Sequence, residues 1–249
     1  STSNSATGIY SEYNAGGSTL IRNSNEITLF GLNSIGIYVI GTGIQNIENT
    51  GIINISDSND INDPSMGIYN ENVANTLVNS GKISVGNKSL GIFNKGGSIT
   101  QNGELFIGTG GIGIFSDAGN IQIGSGSDIR LGVNGAVGVY GRNNAIINNN
   151  QSNILIGDGS YGFILESGSE LTNNSVQNLG NNSVLAYGNG AATIKNVSGA
   201  IINVSGSDNI VFYSVNGGTI LNDGDITANT GNSNIGIYNS KGTIINTGN

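Results

Sequence analysis

The chain has 249 residues, of which 42 are Gly and equally many are Asn, with one Pro and no Cys, His or Trp. Eight basic against sixteen acidic residues give a net charge of −8, so the electrostatic footprint of a nucleic-acid binder is missing. Without Cys or His there is no ordinary zinc site, disulfide framework, thiol nucleophile or Ser-His-Asp triad, and no metal or cofactor is expected.

β-Branched residues dominate: Ile and Val total 50 against 25 for Ala, Leu and Met together, which favours strands over helices. No run approaches the roughly 18 apolar residues of a membrane span, so no membrane contact is expected of this segment.

A Gly-apolar-aromatic tripeptide opens each of a series of periods. It appears as Gly8-Ile9-Tyr10, Gly36-Ile37-Tyr38, Gly67-Ile68-Tyr69, Gly91-Ile92-Phe93, Gly113-Ile114-Phe115 and Gly138-Val139-Tyr140. Looser copies follow at Gly162-Phe163-Ile164, Leu185-Ala186-Tyr187 and Val211-Phe212-Tyr213, and the full form returns at Gly236-Ile237-Tyr238. The spacings run from 22 to 31 residues with a mean near 25.

Two further strand-like pieces follow within a period. One ends in Asn, as in Leu20-Ile21-Arg22-Asn23, Thr76-Leu77-Val78-Asn79, Thr193-Ile194-Lys195-Asn196 and Thr243-Ile244-Ile245-Asn246. The other alternates, as in Ile27-Thr28-Leu29, Ile53-Asn54-Ile55, Ile83-Ser84-Val85, Leu105-Phe106-Ile107, Ile129-Arg130-Leu131 and Ile154-Leu155-Ile156.

Three short strands per period, punctuated by Gly and Asn, predict an all-β fold. It is a right-handed, single-stranded parallel β-helix of about ten rungs of about 25 residues. Gly and Asn suit its corners because they adopt φ > 0 most readily, and identical corners let Asn side chains hydrogen-bond along the axis. At about 4.8 Å per rung the rod is roughly 48 Å long. Residues 1–249 form one such domain.

Alternation predicts which side chains are inside. The residue before the anchor glycine (Ile35, Met66, Leu90, Ile112 and their equivalents) and the residue after it (Ile37, Ile68, Ile92, Ile114) are expected in the core. The glycine and the aromatic residue are then expected outside. Such a column of rings either stabilises the strands by stacking or offers a binding surface, and Tyr38, Tyr69, Phe93, Phe115 and Tyr140 are its candidate contacts. The longest period holds Ser56-Asp57-Ser58-Asn59-Asp60-Ile61-Asn62-Asp63-Pro64. This is an extended loop whose Asp57, Asp60 and Asp63 are candidate contacts, although it lacks the Gly and Glu of a calcium loop. No column sets two carboxylates beside an Arg or Lys, so no enzymatic activity is expected, and a polysaccharide-cleaving β-helix enzyme ranks third among the readings.

The Gly-Ile-Tyr-Asn units at 67–70 and 236–239, Gly-Ile-Phe-Asn at 91–94 and Ile244-Ile245-Asn246-Thr247-Gly248 carry a resemblance. In them the chain resembles the passenger region of type V autotransporters, in particular fusobacterial outer-membrane adhesins. The resemblance implies an extracellular segment on a bacterial surface that attaches to host cells or other bacteria through a host glycan or receptor protein. It also implies a fragment of a longer passenger, with further rungs at both ends. The alternative is a stalk that presents a distal binding tip.

Overall fold

The structure, a computed structural model describing residues 3–249, contains strands and no helix. The strands stack in parallel into a β-solenoid of ten turns, as the period predicts. A first sheet holds ten strands from Thr7–Glu12 to Ile235–Asn239, one for each Gly-apolar-aromatic unit, and a second holds ten from Ser18–Asn23 to Thr243–Asn246. The third side has five strands, Glu26–Leu29 to Asp128–Leu131, and then three, Gln177–Leu179 to Asp225–Ala228. Rungs are numbered here from 1 to 10 by their first-sheet strand.

The third side is interrupted in rung 6. The sequence places a strand at Ile154-Leu155-Ile156, but only an isolated bridge, Arg130 to Leu155, forms there. The Gln177 side chain supplies the reason, because its Oε1 accepts the Ile154 N–H at 3.0 Å and takes the place of a backbone carbonyl.

The core is a set of aligned columns. Ile37, Ile68, Ile92, Ile114, Val139, Phe163, Ala186 and Phe212 from the first sheet are fully buried. They meet Ile47, Leu77, Ile99, Ile121, Ile147, Leu171, Ile194 and Ile220 from the second sheet, and Ile53, Ile83, Leu105 and Ile129 from the third. Each such Ile contributes about 1.5–3 kcal/mol by leaving water, and every rung shares its buried surface with two neighbours. Phe163, Ala186 and Phe212 alternate large, small, large in adjacent rungs, so that two rings fit where the backbone repeat alone would crowd them.

Alternation fails at the anchor glycine, which overturns half of the predicted inside set. The ladder pairs the residues before and after each glycine with their counterparts and skips the glycines themselves. This is a bulge-like kink that resets the parity. From Gly36 to Gly162 the anchor glycines are therefore buried rather than outward, while Gly8 and Gly236 in the end rungs are exposed: a Cβ on Gly36 would lie 2.5 Å from the Gly67 carbonyl oxygen and 2.8 Å from Ile53 Cγ2. The residue before the glycine turns outward to lie beside the rings. Leu90 and Val137, although buried, do not belong to the core cluster, and Met66, Leu90 and Ile112 share an outer groove with Phe93 and Phe115.

Buried amides replace apolar contacts at the corner after the second sheet. Asn23 Nδ2 donates to Asn49 Oδ1 (2.8 Å), Asn49 to Asn79 (2.8 Å), and Asn79 to Gln101 Oε1 (2.9 Å). After a gap at Ile123, which occupies the equivalent position, the ladder resumes. It runs from Asn149 through Asn173, Asn196 and Asn222 to Asn246 at 2.7–2.9 Å. Within each run the interior amides (Asn49, Asn79, Asn173, Asn196 and Asn222) accept from one rung and donate to the next, which satisfies groups that would be costly to bury alone. Asn173→Leu would strand the Asn196 acceptor and leave the Asn149 amide only its longer bonds to Ser175 Oγ (3.3 Å) and the Gln151 carbonyl (3.4 Å), and is expected to cost about 1–3 kcal/mol, the range for one unsatisfied buried group. A melting midpoint equal to the parent's by circular dichroism would show that the ladder does not contribute.

Candidate functional site

The rings form an outward column on the first sheet, as predicted. Tyr10, Tyr38, Tyr69, Phe93, Phe115 and Tyr140 follow one another with centroids 4.8–5.6 Å apart. From Tyr69 to Tyr140 the planes are nearly parallel, at 7°, 7° and 17°. The fixed rung repeat and the in-register pairing of equivalent positions produce this stack, and each ring pair contributes about 0.5–1.5 kcal/mol beyond its burial. Ile164 interrupts the column in rung 7; it resumes with Tyr187, Tyr213 and Tyr238.

The long loop between rungs 2 and 3 folds over this face. Ile61, Asn62 and Pro64 stand opposite Met66, Leu90, Phe93, Ile112, Phe115 and Tyr140, enclosing a groove of about 400 Å³. Two features that the sequence presents separately, the rings and the long loop, thus build one site. Phe93, Phe115 and Tyr140 line it, whereas Tyr38 and Tyr69 lie along the column beyond it. Met66, Leu90 and Ile112 are lining residues that alternation assigns to the core. The signal for them was an apolar residue before almost every anchor.

The three loop acids do not face the rings. Asp57 accepts from the backbone N–H (2.8 Å) and side-chain amide (2.9 Å) of Asn87. Asp60 accepts from the backbone and side chain of Asn62 at 3.0 and 2.9 Å, and Asp63 from Asn33 Nδ2 at 2.6 Å. The Asp57 and Asp63 bonds pin the loop to neighbouring rungs, and the Asp60 bonds shape a turn within it. Ser58, buried, donates or accepts with Ser89 at 2.8 Å and accepts the Ser65 N–H at 2.6 Å, closing the base of the loop. Asp60 and Asp63 border a separate polar recess with Asn4, Ser5 and Asn33. Among the described residues no group of three or more potential metal ligands comes together.

Charged groups rim the far end of the groove. Tyr140 Oη donates to Glu166 Oε2 at 2.5 Å. Burial, and the Glu166 carboxylate that accepts its proton, push the Tyr140 phenol well above the usual tyrosine range. Arg142 lies over the Phe115 ring, 5.0 Å from its centroid, and pairs with Asp117 at 3.0 Å. The Arg142 guanidinium holds the Asp117 carboxyl below the usual carboxylate range. Burial likewise raises the Tyr69 phenol. The rim is thus self-paired at neutral pH, and the site offers apolar surface, ring edges and hydroxyls, the equipment of a binding surface.

Compared with protein-family models, with curated proteins and with solved structures, the chain matches none.

Proposed function

We propose that this rod is a non-catalytic adhesive segment, displayed outside a bacterial cell, that holds a glycan or receptor protein of a host cell or another bacterium against its aromatic face. The observation that carries this is the outer strip itself. Rings and apolar side chains stand in two adjacent columns along the first sheet, partly open to solvent and partly walled by a loop that the rung geometry does not require. Exposed apolar strips of this length mark interaction surfaces, and loops that leave a regular scaffold tend to carry specificity. The autotransporter origin rests on the Gly-Ile-Tyr-Asn repeats, with which a parallel β-solenoid is compatible.

A spacer role is the second possibility. It is favoured by the ring-to-ring stacking, which by itself accounts for aromatic residues at these positions as ties between rungs.

Flow cytometry with the labelled rod on epithelial cells and on bacteria separates the two. The rod is expected to bind, and at least one of Tyr69→Ala, Tyr187→Ala and deletion of 56–65 is expected to lower binding about tenfold. Binding equal to the parent's in all three variants would remove the aromatic face as the contact surface. A parent rod that binds no cell would leave the spacer.

A further inference from the structure

Ring orientation varies along the aromatic strip: Tyr10–Tyr38 and Tyr38–Tyr69 are tilted at 59° and 64°, and the two grooved stretches beyond them differ in chemistry. In rungs 3–6 the near-parallel rings cover one another's faces, so only edges point outward, and the loop walls them. Beyond Ile164 the rings are turned. Tyr161 and Tyr187 meet at 74°, and Tyr187–Tyr213 and Tyr213–Tyr238 at 53°, with centroids 5.0–6.4 Å apart. Rings set at such angles do not cover one another, and part of each face is left open to a ligand. Tyr161 comes from the column before the anchor, so the two columns converge here around Ile164 in a groove of about 380 Å³.

The polar groups around this groove also differ from those of the loop-walled one. Among the described residues, the hydroxyls of Tyr161, Tyr187 and Tyr213 have no protein partner. Glu166 and Asn189 lie on the outer face two residues beyond Ile164 and Tyr187, with Asn189 Nδ2 3.4 Å from Glu166 Oε1. In rungs 7–9, the first-sheet strands and the corners that lead into them hold Asp158, Glu166 and Asp208 and no Lys or Arg. That charge pattern repels anions.

Size narrows the occupant further. Four rungs at about 4.8 Å, across two columns about 10 Å apart, present roughly 200 Å². A stable protein interface needs about 800 Å² from each partner, so neither a second copy nor a receptor protein is held by this patch alone. A row of open ring faces bordered by hydroxyls, an amide and a carboxylate suits consecutive sugars: C–H faces on the tyrosines, hydroxyls on the polar groups.

We infer that Tyr161, Tyr187 and Tyr213 form a subsite for a short neutral glycan beside the loop-walled groove, with Glu166, whose Oε2 is held by Tyr140, on the border between the two. The inference rests on the adhesive function proposed above and names the ligand class and its place.

The test is binding to a printed array of neutral oligosaccharides of hexose and N-acetylhexosamine, each beside its sialylated counterpart. The folded state of every variant is checked by thermal melting. The rod is expected to bind neutral members at least tenfold better than sialylated ones. Tyr187→Ala should lower that binding about tenfold or more, Tyr187→Phe should keep most of it, and Gln122→Ala, exposed on the second sheet away from the rings, should leave it unchanged. Ile164→Tyr, which restores the missing ring and closes the open faces, should lower glycan binding without lowering the melting temperature. Loss with Phe93→Ala but not with Tyr187→Ala or Ile164→Tyr would overturn the placement, and a preference for sialylated glycans would overturn the ligand class. A rod that binds cells but no glycan would overturn the inference and leave adhesion to a protein standing; binding to neither would end both.

Discussion

Ile114→Asp is expected to unfold the middle of the rod. Ile114 is fully buried in rung 5, between Ile92 and Val139 in the same column. The substitution removes an apolar side chain worth about 2–3 kcal/mol and sets a carboxylate among isoleucines with no cation within the core. A buried unpaired charge costs several kcal/mol more unless it takes up a proton, and protonation itself costs free energy at neutral pH. The total, about 5 kcal/mol or more, is a large share of the stability of an ordinary domain. In a solenoid the damage is shared with adjacent rungs, because each is stabilised mainly by its neighbours. Hydrogen exchange should show lost protection centred on residues 90–142, and the melting temperature should fall steeply. Ile114→Val, losing one methylene, should cost only about 1 kcal/mol. A near-parental melting curve for the Asp variant would mean that this column does not face inward.

Gly91→Ala is the second large effect, and it acts through spacing instead of polarity. An added Cβ at Gly91 would lie 2.4 Å from the Gly113 carbonyl oxygen and 2.9 Å from Leu105 Cδ1. Leu105 can shift, but the carbonyl belongs to the next rung and is held by the ladder on both sides of the strand. Relief therefore requires separating two rungs, at an expected cost of about 3 kcal/mol. Gly180 is the control: nothing lies within 4 Å of a Cβ placed there, and Gly180→Ala should change stability by less than about 1 kcal/mol. Equal melting temperatures for Gly91→Ala and Gly180→Ala would show that rung contact does not select the anchor glycine.

The same glycine explains where the sequence could and could not be read. The repeat, the parallel stacking, the amide ladder and the outward rings are legible because each rung repeats the same residue types at the same offsets. The inside set after the anchor is legible too, from Ile37 to Phe212. The residue before the anchor was misassigned because counting by twos assumes an unbroken strand, and nothing local in Ile35-Gly36-Ile37 marks the skipped ladder position. The constraint is a carbonyl oxygen about 30 residues away in Gly67. In the candidate site, Phe93 and Phe115 were legible as outward rings, but the loop gave only its excess length. The side on which it lies depends on Asp57, Asp60 and Asp63 finding Asn87, Asn62 and Asn33, and two of these three pairings cross rungs. The loss of a strand at Ile154 depends in the same way on a distant side chain, Gln177.

The gap in the amide ladder at Ile123 has a mechanical counterpart. A cable of identical links is as strong as its weakest region. Here one lengthwise row of ties misses a member in rung 5, the third side misses one in rung 6 and the ring column misses one in rung 7. The three omissions are staggered along three adjacent turns, so tension or bending concentrates there. The rod is therefore expected to bend more readily in its middle than in the two spans that flank it, although the first and second sheets run through it unbroken.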